Sequence, residues 1–437
     1  MTRRGKTAKA DKASMQGRVP KLRFPEFRDA GAWEKKQLGE ITFGVSKKNK
    51  DGIKYPIYSI NNKDGFLPQS EQFDGMDSNN RGYDITIYKI IDKNTFAYNP
   101  ARINIGSLGY SGELHNIIIS SLYVCFKSTD EIDDLFLLSF FKTHSFNESV
   151  NNSVEGGIRS YLFYENFAKI NILFPKPLEQ QKIADCLSSI DELITAQSQK
   201  LDTLNAHKKG LMQQLFPAEG ETVPKLRFPE FRNAGAWENG RIADLADTVM
   251  GNAFKSSDFI EDGIQLIRMG NLYQGELQLD RSPVYLPHDF NKKYSIFLVK
   301  PLELLMSMTG TVGKRDYGFI VQIPENCPQL LLNQRVLKVV HKDNCVKGFL
   351  LQLLKNEKVL NELYSLPGGT KQANLSAQQL KELKITLPQP PEQQKIADCL
   401  SSLDELITAQ SQKIDTLKAH KKGLMQQLFP SVDEVNG

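Results

Sequence analysis

Of the 437 residues only five are cysteines and six are histidines, and neither type is grouped. Cys125, Cys186, Cys327, Cys345 and Cys399 form no CxxC pair, which argues against a zinc site or a disulfide framework and suits a reducing compartment. The histidines show no ligand spacing such as HExxH, so no metal is expected. No apolar run approaches the roughly 20 residues of a membrane span. Residues 1–18 are basic but lack the apolar core of a secretory signal, and they are expected to form a disordered tail. A charge excess is also missing. The chain is net +4, yet the tail alone holds six Lys/Arg and one Asp, leaving residues 19–437 near −1. Net charge therefore gives no support for a polyanionic partner, and any basic surface must be local.

What is present is a repeat. "VPKLRFPEFRDAGAWE" at residues 19–34 returns at 223–238 with one difference in sixteen, and residues 179–217 return at 392–430 with three differences in thirty-nine. The copies include the identical decapeptide "KKGLMQQLFP" at 208–217 and 421–430. The offsets, 204 and 213 residues, are far above a solenoid period, so this is a duplicated domain pair. Between the near-identical frames lie two inserts, 35–178 and 239–391, that scarcely align with each other. The reading is a tail (1–18), a first domain (19–178), a helix (179–217), a linker (218–222), a second domain (223–391), a second helix (392–430) and a short tail (431–437).

The long frame segment steps by four and three through Ile183, Leu187, Ile190, Ile194, Gln197, Leu201, Leu204, Lys208, Leu211 and Leu215. Its copy repeats the seam as Ile396, Leu400, Leu403, Ile407, Gln410, Ile414, Leu417, Lys421, Leu424 and Leu428. This is a coiled-coil seam of about five heptads. Pro177 and Pro391 are read as preceding the helices, and Pro217 and Pro430 as ending them. Each helix would be roughly 55 Å long. The nearest partner for one stripe is the other, and an antiparallel pair is expected; the alternative is that each helix packs on its own insert. Lys208 and Lys421, polar within the seam, are expected to fix register, and His207 and His420 to be solvated.

The inserts read as mixed α/β. Segments 84–99, 116–127, 168–175, 264–272, 335–341 and 381–388 are rich in β-branched and aromatic residues, as strands require. Helical patches occur at 131–145 and 346–365. Trp33 and Trp237, at matching frame positions, are expected to be core anchors rather than base-stacking residues.

Identical frames should meet the same partner twice, whereas unlike inserts should meet unlike targets. The ordered set "PKLRFPEF…W", an insert, then "EQQKIADCLSSIDELI…KKGLMQQLF" resembles the specificity subunit of type I restriction–modification systems. So do "FAYNPARINIGSLGYS" (96–111), "IRMGNL", "SMTGTVGKRDYG" (307–318) and "LNQRV" (332–336). The resemblance covers residues 19–430. It implies an α+β chain in which two α/β target recognition domains are separated and joined by two long helices, an antiparallel coiled coil in a pseudo-two-fold arrangement. It implies a non-catalytic subunit whose domains each read half of a bipartite double-stranded DNA site. Two modification (methyltransferase) subunits would dock on the frame and restriction motor/nuclease subunits would join the complex. S-adenosylmethionine, ATP and Mg would be bound by those partners, and the location would be cytoplasmic.

Base reading needs Arg, Lys, Asn or Gln at groove edges. Candidate residues are Arg102, Asn104, Arg159, Ser160 and Tyr161 in the first insert, and Lys314, Arg315, Lys371, Gln372 and Asn374 in the second. The ordinary alternative for each is a solvated loop side chain. A DNA-acting enzyme is disfavoured. No glycine-rich cofactor loop precedes "FAYNPAR", and "GTVGKRD" (310–316) lacks the spacing of a phosphate-binding loop. A coiled-coil adaptor for proteins is the other alternative, distinguished by an apolar rather than a basic face on the inserts.

Overall fold

Both frame segments fold as uninterrupted helices, Pro177–Leu215 and Pro390–Leu428, of 39 residues each, about 58 Å long at 1.5 Å per residue. The structure is a computed structural model that describes residues 18–72, 75–153, 161–366 and 371–430. The helices begin earlier than residues 179 and 392, and Pro177 and Pro391 lie inside the first turn instead of ahead of it. Proline is tolerated there because first-turn N–H groups have no intrahelical acceptor and its φ is already helical. Every seam position in both helices is buried or half-buried, whereas His207 and His420 are exposed.

Packing does not follow chain order. One compact unit joins residues 1–198 to 412–437, and the other comprises 199–411, so the division cuts both long helices.

In the first unit, β1 (Glu34–Gln37) pairs antiparallel with β10 (Asn171–Phe174) just before the first long helix. One four-stranded sheet runs β2 (Thr42–Gly44), β9 (Val124–Ser128), β6 (Phe96–Tyr98), β7 (Leu108–Tyr110). The other runs β4 (Gly65–Pro68), β3 (Ile57–Asn61), β8 (Ile117–Ile119), β5 (Lys89–Ile91), with β3 and β8 parallel. The helical patch splits into Asp134–Phe140, capped by the Asp133 carboxylate accepting from Phe136 N, and His144–Ser153.

The second unit repeats this plan. β11 (Glu238–Arg241) pairs antiparallel with β22 (Lys384–Leu387). One sheet runs β12 (Ala246–Met250), β20 (Val336–His341), β16 (Leu304–Ser307), β18 (Ile320–Gln322). The other runs β14 (Tyr285–Leu286), β13 (Ile264–Ile267), β19 (Leu330–Leu332), β15 (Leu298–Val299), with β13 and β19 parallel. A further ribbon joins β17 (Thr309–Thr311) to β21 (Gln372–Asn374). The second patch splits into helices Lys347–Leu354 and Glu357–Ser365, with Asn356 capping the latter. Inserts whose sequences scarcely align thus share one topology: β6, β8, β13, β16 and β19 are buried at every residue, and a short apolar run between turns specifies such a strand without specifying side-chain identity.

Each core is closed by the far end of a long helix. In the first unit Phe429 lies edge-on to Trp33 at 6.2 Å between ring centroids and 5.2 Å from Phe136. In the second, Phe216 lies 6.0 Å from Trp237 and 5.7 Å from Phe349. Trp33 and Trp237 are 2% and 3% exposed, so both are core anchors. Ile183, Ala184 and Leu187 share the first core with Leu428, and Ile396, Ala397 and Leu400 share the second with Leu215. Within each unit the start of one helix therefore packs beside the end of the other, antiparallel, and both also pack on the domain.

Candidate nucleic-acid interface

The frame is clamped by a buried ion pair used twice. Arg23 donates from Nε and Nη2 to the two Glu179 oxygens at 2.7 and 2.6 Å, and Arg227 does the same to Glu392 at 2.7 Å for both. A third donor reaches the Gly31 carbonyl in one copy and the Ala234 and Gly235 carbonyls in the other. Both glutamates sit in the first helical turn, where the exposed N–H groups favour a carboxylate. The adjoining glutamine is bonded in parallel. Gln180 accepts from Asp133 N and donates to the Pro175 carbonyl, and Gln393 accepts from Val346 N and donates to the Pro388 carbonyl. Arg23, Glu179 and Gln180 were not singled out by sequence reasoning; the signal available was their exact duplication as Arg227, Glu392 and Gln393.

These clamps hold the domains whose loops carry the candidate residues. In the second unit the β17–β21 ribbon sets Thr309 opposite Asn374 and Thr311 opposite Gln372, and Val312 N donates to the Lys371 carbonyl at 3.3 Å. Lys314, Lys371, Gln372 and Asn374, separate in sequence, are thereby gathered on one exposed ribbon. Asp316 closes its turn, accepting from Thr311 N at 2.7 Å and Thr311 Oγ1 at 2.8 Å. A Cβ on Gly310 would lie 2.3 Å from Asp316 Oδ1 and 2.9 Å from Tyr317 Cβ, so a larger residue would push this turn apart.

Arg315 is placed differently. It pairs with Glu357 at 3.0 Å, bonds Asn361, and lies over the Tyr364 ring at 5.3 Å. Its guanidinium holds the ribbon to the helix Glu357–Ser365. Burial lifts the Tyr364 phenol above its ordinary range while Arg315 opposes the shift.

Beside the ribbon is a concavity of about 400 Å³ whose lining includes Gln334, Arg335, Asn374 and Ser376, with Met250 and Met308. Gln334 and Arg335 are exposed. They have the side chains that read base edges, and the phrase "LNQRV" carries them, but only the fold brings them against Asn374.

In the first unit Arg102 and Asn104 are exposed on the turn Ile103–Ile105, which is anchored by buried Ile103 and ends at Gly106 with φ 87°. Leu162 N donates to the Pro100 carbonyl at 3.0 Å, bringing Tyr161 beside this turn. Tyr161 stacks on Phe163, a residue 54% exposed, an aromatic pair of which sequence reasoning named only the first member. Arg159 and Ser160 lie outside the described residues.

Among the described residues no group of three or more His, Cys, Asp or Glu is positioned to hold a metal ion, and no helix is long and apolar enough to cross a membrane.

A family model for the type I restriction modification DNA specificity domain matches residues 31–206 and again 235–419. The MjaVIII type I restriction enzyme specificity subunit of Methanocaldococcus jannaschii is 29% identical over 319 residues, covering 71% of this chain and 73% of that protein. A putative MjaX specificity subunit of the same organism is 24% identical over 430 residues, 91% of this chain and 92% of the relative. Among solved structures, the type I restriction–modification S subunit of M. genitalium has a TM-score of 0.58 at 15% identity, covering 94% of this chain and 99% of that one. A chain from a structure of type I complex assembly and conformational transition gives 0.52 at 14%, covering 91% and 97%. With the family model spanning most of the sequence in two repeats, the chain belongs to the type I restriction–modification DNA specificity family, as a non-catalytic specificity subunit with two target recognition domains.

Proposed function

We propose that each target recognition domain reads one half of an asymmetric, two-part DNA site through the major groove. The second domain would use the β17–β21 ribbon with Gln334 and Arg335, and the first the Arg102 turn with Tyr161. The observation that carries the reading is the gathering of Lys314, Lys371, Gln372 and Asn374, from two separate stretches of the insert, on one exposed ribbon. Arg159 and Ser160, adjacent to Tyr161 in sequence, remain candidates. Separate cationic contacts to phosphate would set orientation while amide and guanidinium groups select bases.

The two long helices fix the gap between half-sites. Successive half-sites on one face of B-DNA lie about 34–36 Å apart per turn, within the reach of helices about 58 Å long. The duplicated frame docks two modification subunits, and the restriction motor/nuclease subunits join through the complex. S-adenosylmethionine, ATP and Mg are bound by those partners, and the complex works in the cytoplasm.

Methylation sequencing of DNA from cells carrying this chain with its modification subunit tests the reading. A two-part motif with a fixed gap supports it. Unmodified DNA despite a stable complex would remove the DNA role and favour a protein adaptor. Replacing the first insert by the second should yield a symmetric site with docking intact, and loss of docking would show that the frame does not carry the partner.

A further inference from the structure

The closing stretches of the two inserts share a register. Leu162 and Leu375, 213 residues apart like the long helices, are 0% and 4% exposed. Each anchors its segment beside the candidate reading residues. Leu162 N donates to the Pro100 carbonyl at 3.0 Å and Leu375 N to the Met308 carbonyl at 2.9 Å. Phe167 and Leu380, at the same offset, fill the two cores. Tyr161 and Phe163 therefore stand where the second domain carries Asn374 and Ser376.

Phe163 breaks two local rules. Ser376 caps the helix Ala377–Glu382, its Oγ accepting from Gln379 N at 3.1 Å. Phe163 holds the same position before the helical turn Tyr164–Phe167 and makes no side-chain cap, although a side-chain oxygen is favoured there because it satisfies a free N–H. It is also exposed, an apolar ring left facing water. A residue that gives up a cap and a buried ring without a gain to the fold marks a functional position. The backbone at Phe163 is extended, so burial of Leu162 turns residues 161 and 163 outward together, beside the Arg102 turn. Half-buried Tyr161 backs the Phe163 ring, with centroids 5.8 Å apart and planes 9° from parallel.

The first-domain face thus sets an apolar ring beside the donors of Arg102 and Asn104. In the major groove the base edges present hydrogen-bonding groups, and the apolar group among them is the C5-methyl of thymine. A phenyl ring has no hydrogen bond to offer, so the group it complements is that methyl. The second domain, with Asn374 in the position of Tyr161, has an amide to offer instead.

We propose that Phe163, backed by Tyr161, reads a thymine methyl group in the first half-site, so that the two domains recognise their half-sites by different chemistry. This rests on the reading of both domains as DNA readers. The test uses the complex of the full chain with its modification subunit and a duplex carrying the motif found by methylation sequencing. The first half-site is the one lost when the first insert is replaced. Its thymines are replaced one at a time by deoxyuridine, which removes only the methyl. One position should weaken binding about fourfold, the worth of burying one such group. F163S should bind the thymine duplex about fourfold more weakly and no longer distinguish it from the uridine duplex, whereas F163L should keep part of the distinction. Because serine restores the cap, F163S should unfold at no lower temperature than the unsubstituted chain.

A first half-site without a methyl-sensitive thymine would overturn the proposal, as would a uridine effect that persists in F163S. So would a lower unfolding midpoint, which makes Phe163 a packing residue. Impaired uptake of the modification subunit with DNA affinity intact would make the ring a protein contact and overturn it too. If the unsubstituted complex does not prefer its motif to an unrelated duplex, the DNA reading itself fails, which is a different result from failure of Phe163 alone.

Discussion

Lys208 Nζ lies 2.6 Å from Asp404 Oδ1 in the second unit, and Lys421 faces Asp191 in the first. Each long helix therefore contributes one aspartate in its first half and one lysine in its last third. Antiparallel alignment pairs them twice, whereas parallel alignment of identical sequences would set Lys beside Lys and Asp beside Asp. Lys208 is 12% and Asp404 35% exposed, so the pair is screened less than a surface bridge.

Breaking one pair should weaken its own unit. D404K is expected to cost about 1–3 kcal/mol, intermediate between an exposed and a buried pair. Combining it with K208D should restore most of the loss. A double-mutant cycle by thermal unfolding checks this, and strict additivity would show that the two residues do not interact.

The far helix end should be part of each core. Phe429→Ala is expected to destabilise the first unit by about 3–5 kcal/mol, the range for deleting a buried phenyl ring, and Phe216→Ala the second by a similar amount. Hydrogen exchange read unit by unit tests this. Equal loss of protection in both units from either substitution would contradict it.

The bidentate clamp should not tolerate lysine. Arg227→Lys keeps charge but loses the planar fork, leaving Glu392, 2% exposed, short of a donor. A loss of about 2–4 kcal/mol is expected, at the lower end of the cost of stripping a buried pair of one partner. Arg23→Lys should behave likewise toward Glu179. Chemical denaturation of each variant provides the measurement.

On DNA, Lys371→Ala should weaken binding to all sequences alike and lower the salt slope by about one. Arg335→Ala should instead relax preference at one base of the second half-site, a discrimination of about 1–3 kcal/mol. Binding to a library randomised at that half-site separates the two outcomes.

Thiol labelling should follow burial. Burial pushes the Cys125 thiol up to about 11 and Cys345 to about 12, whereas Cys186, Cys327 and Cys399 are half-buried with smaller upward shifts. The thiolate is the reactive form. At pH 8 a disulfide reagent should modify the three half-buried thiols slowly and leave Cys125 and Cys345 unmodified until the chain unfolds. Early modification of Cys345 would show that its unit opens.

Much was legible from residues alone. A seam stepping by four and three fixes a long helix without tertiary help, because the 3.6-residue period leaves one stripe apolar, and the duplication makes that reading independent in each copy. Buried tryptophans at matched positions and the β-rich segments followed from the same kind of local regularity. The candidate site was legible only in part: the exposed loops with Arg102, Lys314 and Lys371 carry the right side chains, but Gln334, Arg335 and Phe163 gained their meaning from neighbours distant in sequence.

What the sequence determined by itself was periodicity, duplication and the list of side chains able to read DNA. Tertiary structure decided which segments share a core. The chain's last described turn, with Leu428 and Phe429, completes the unit that holds Trp33, and Leu215 and Phe216 complete the unit that holds Trp237. Sequence spacing is silent on this because hydrophobic burial is non-directional: an apolar stripe states that it must be covered, and only the packed fold states by what.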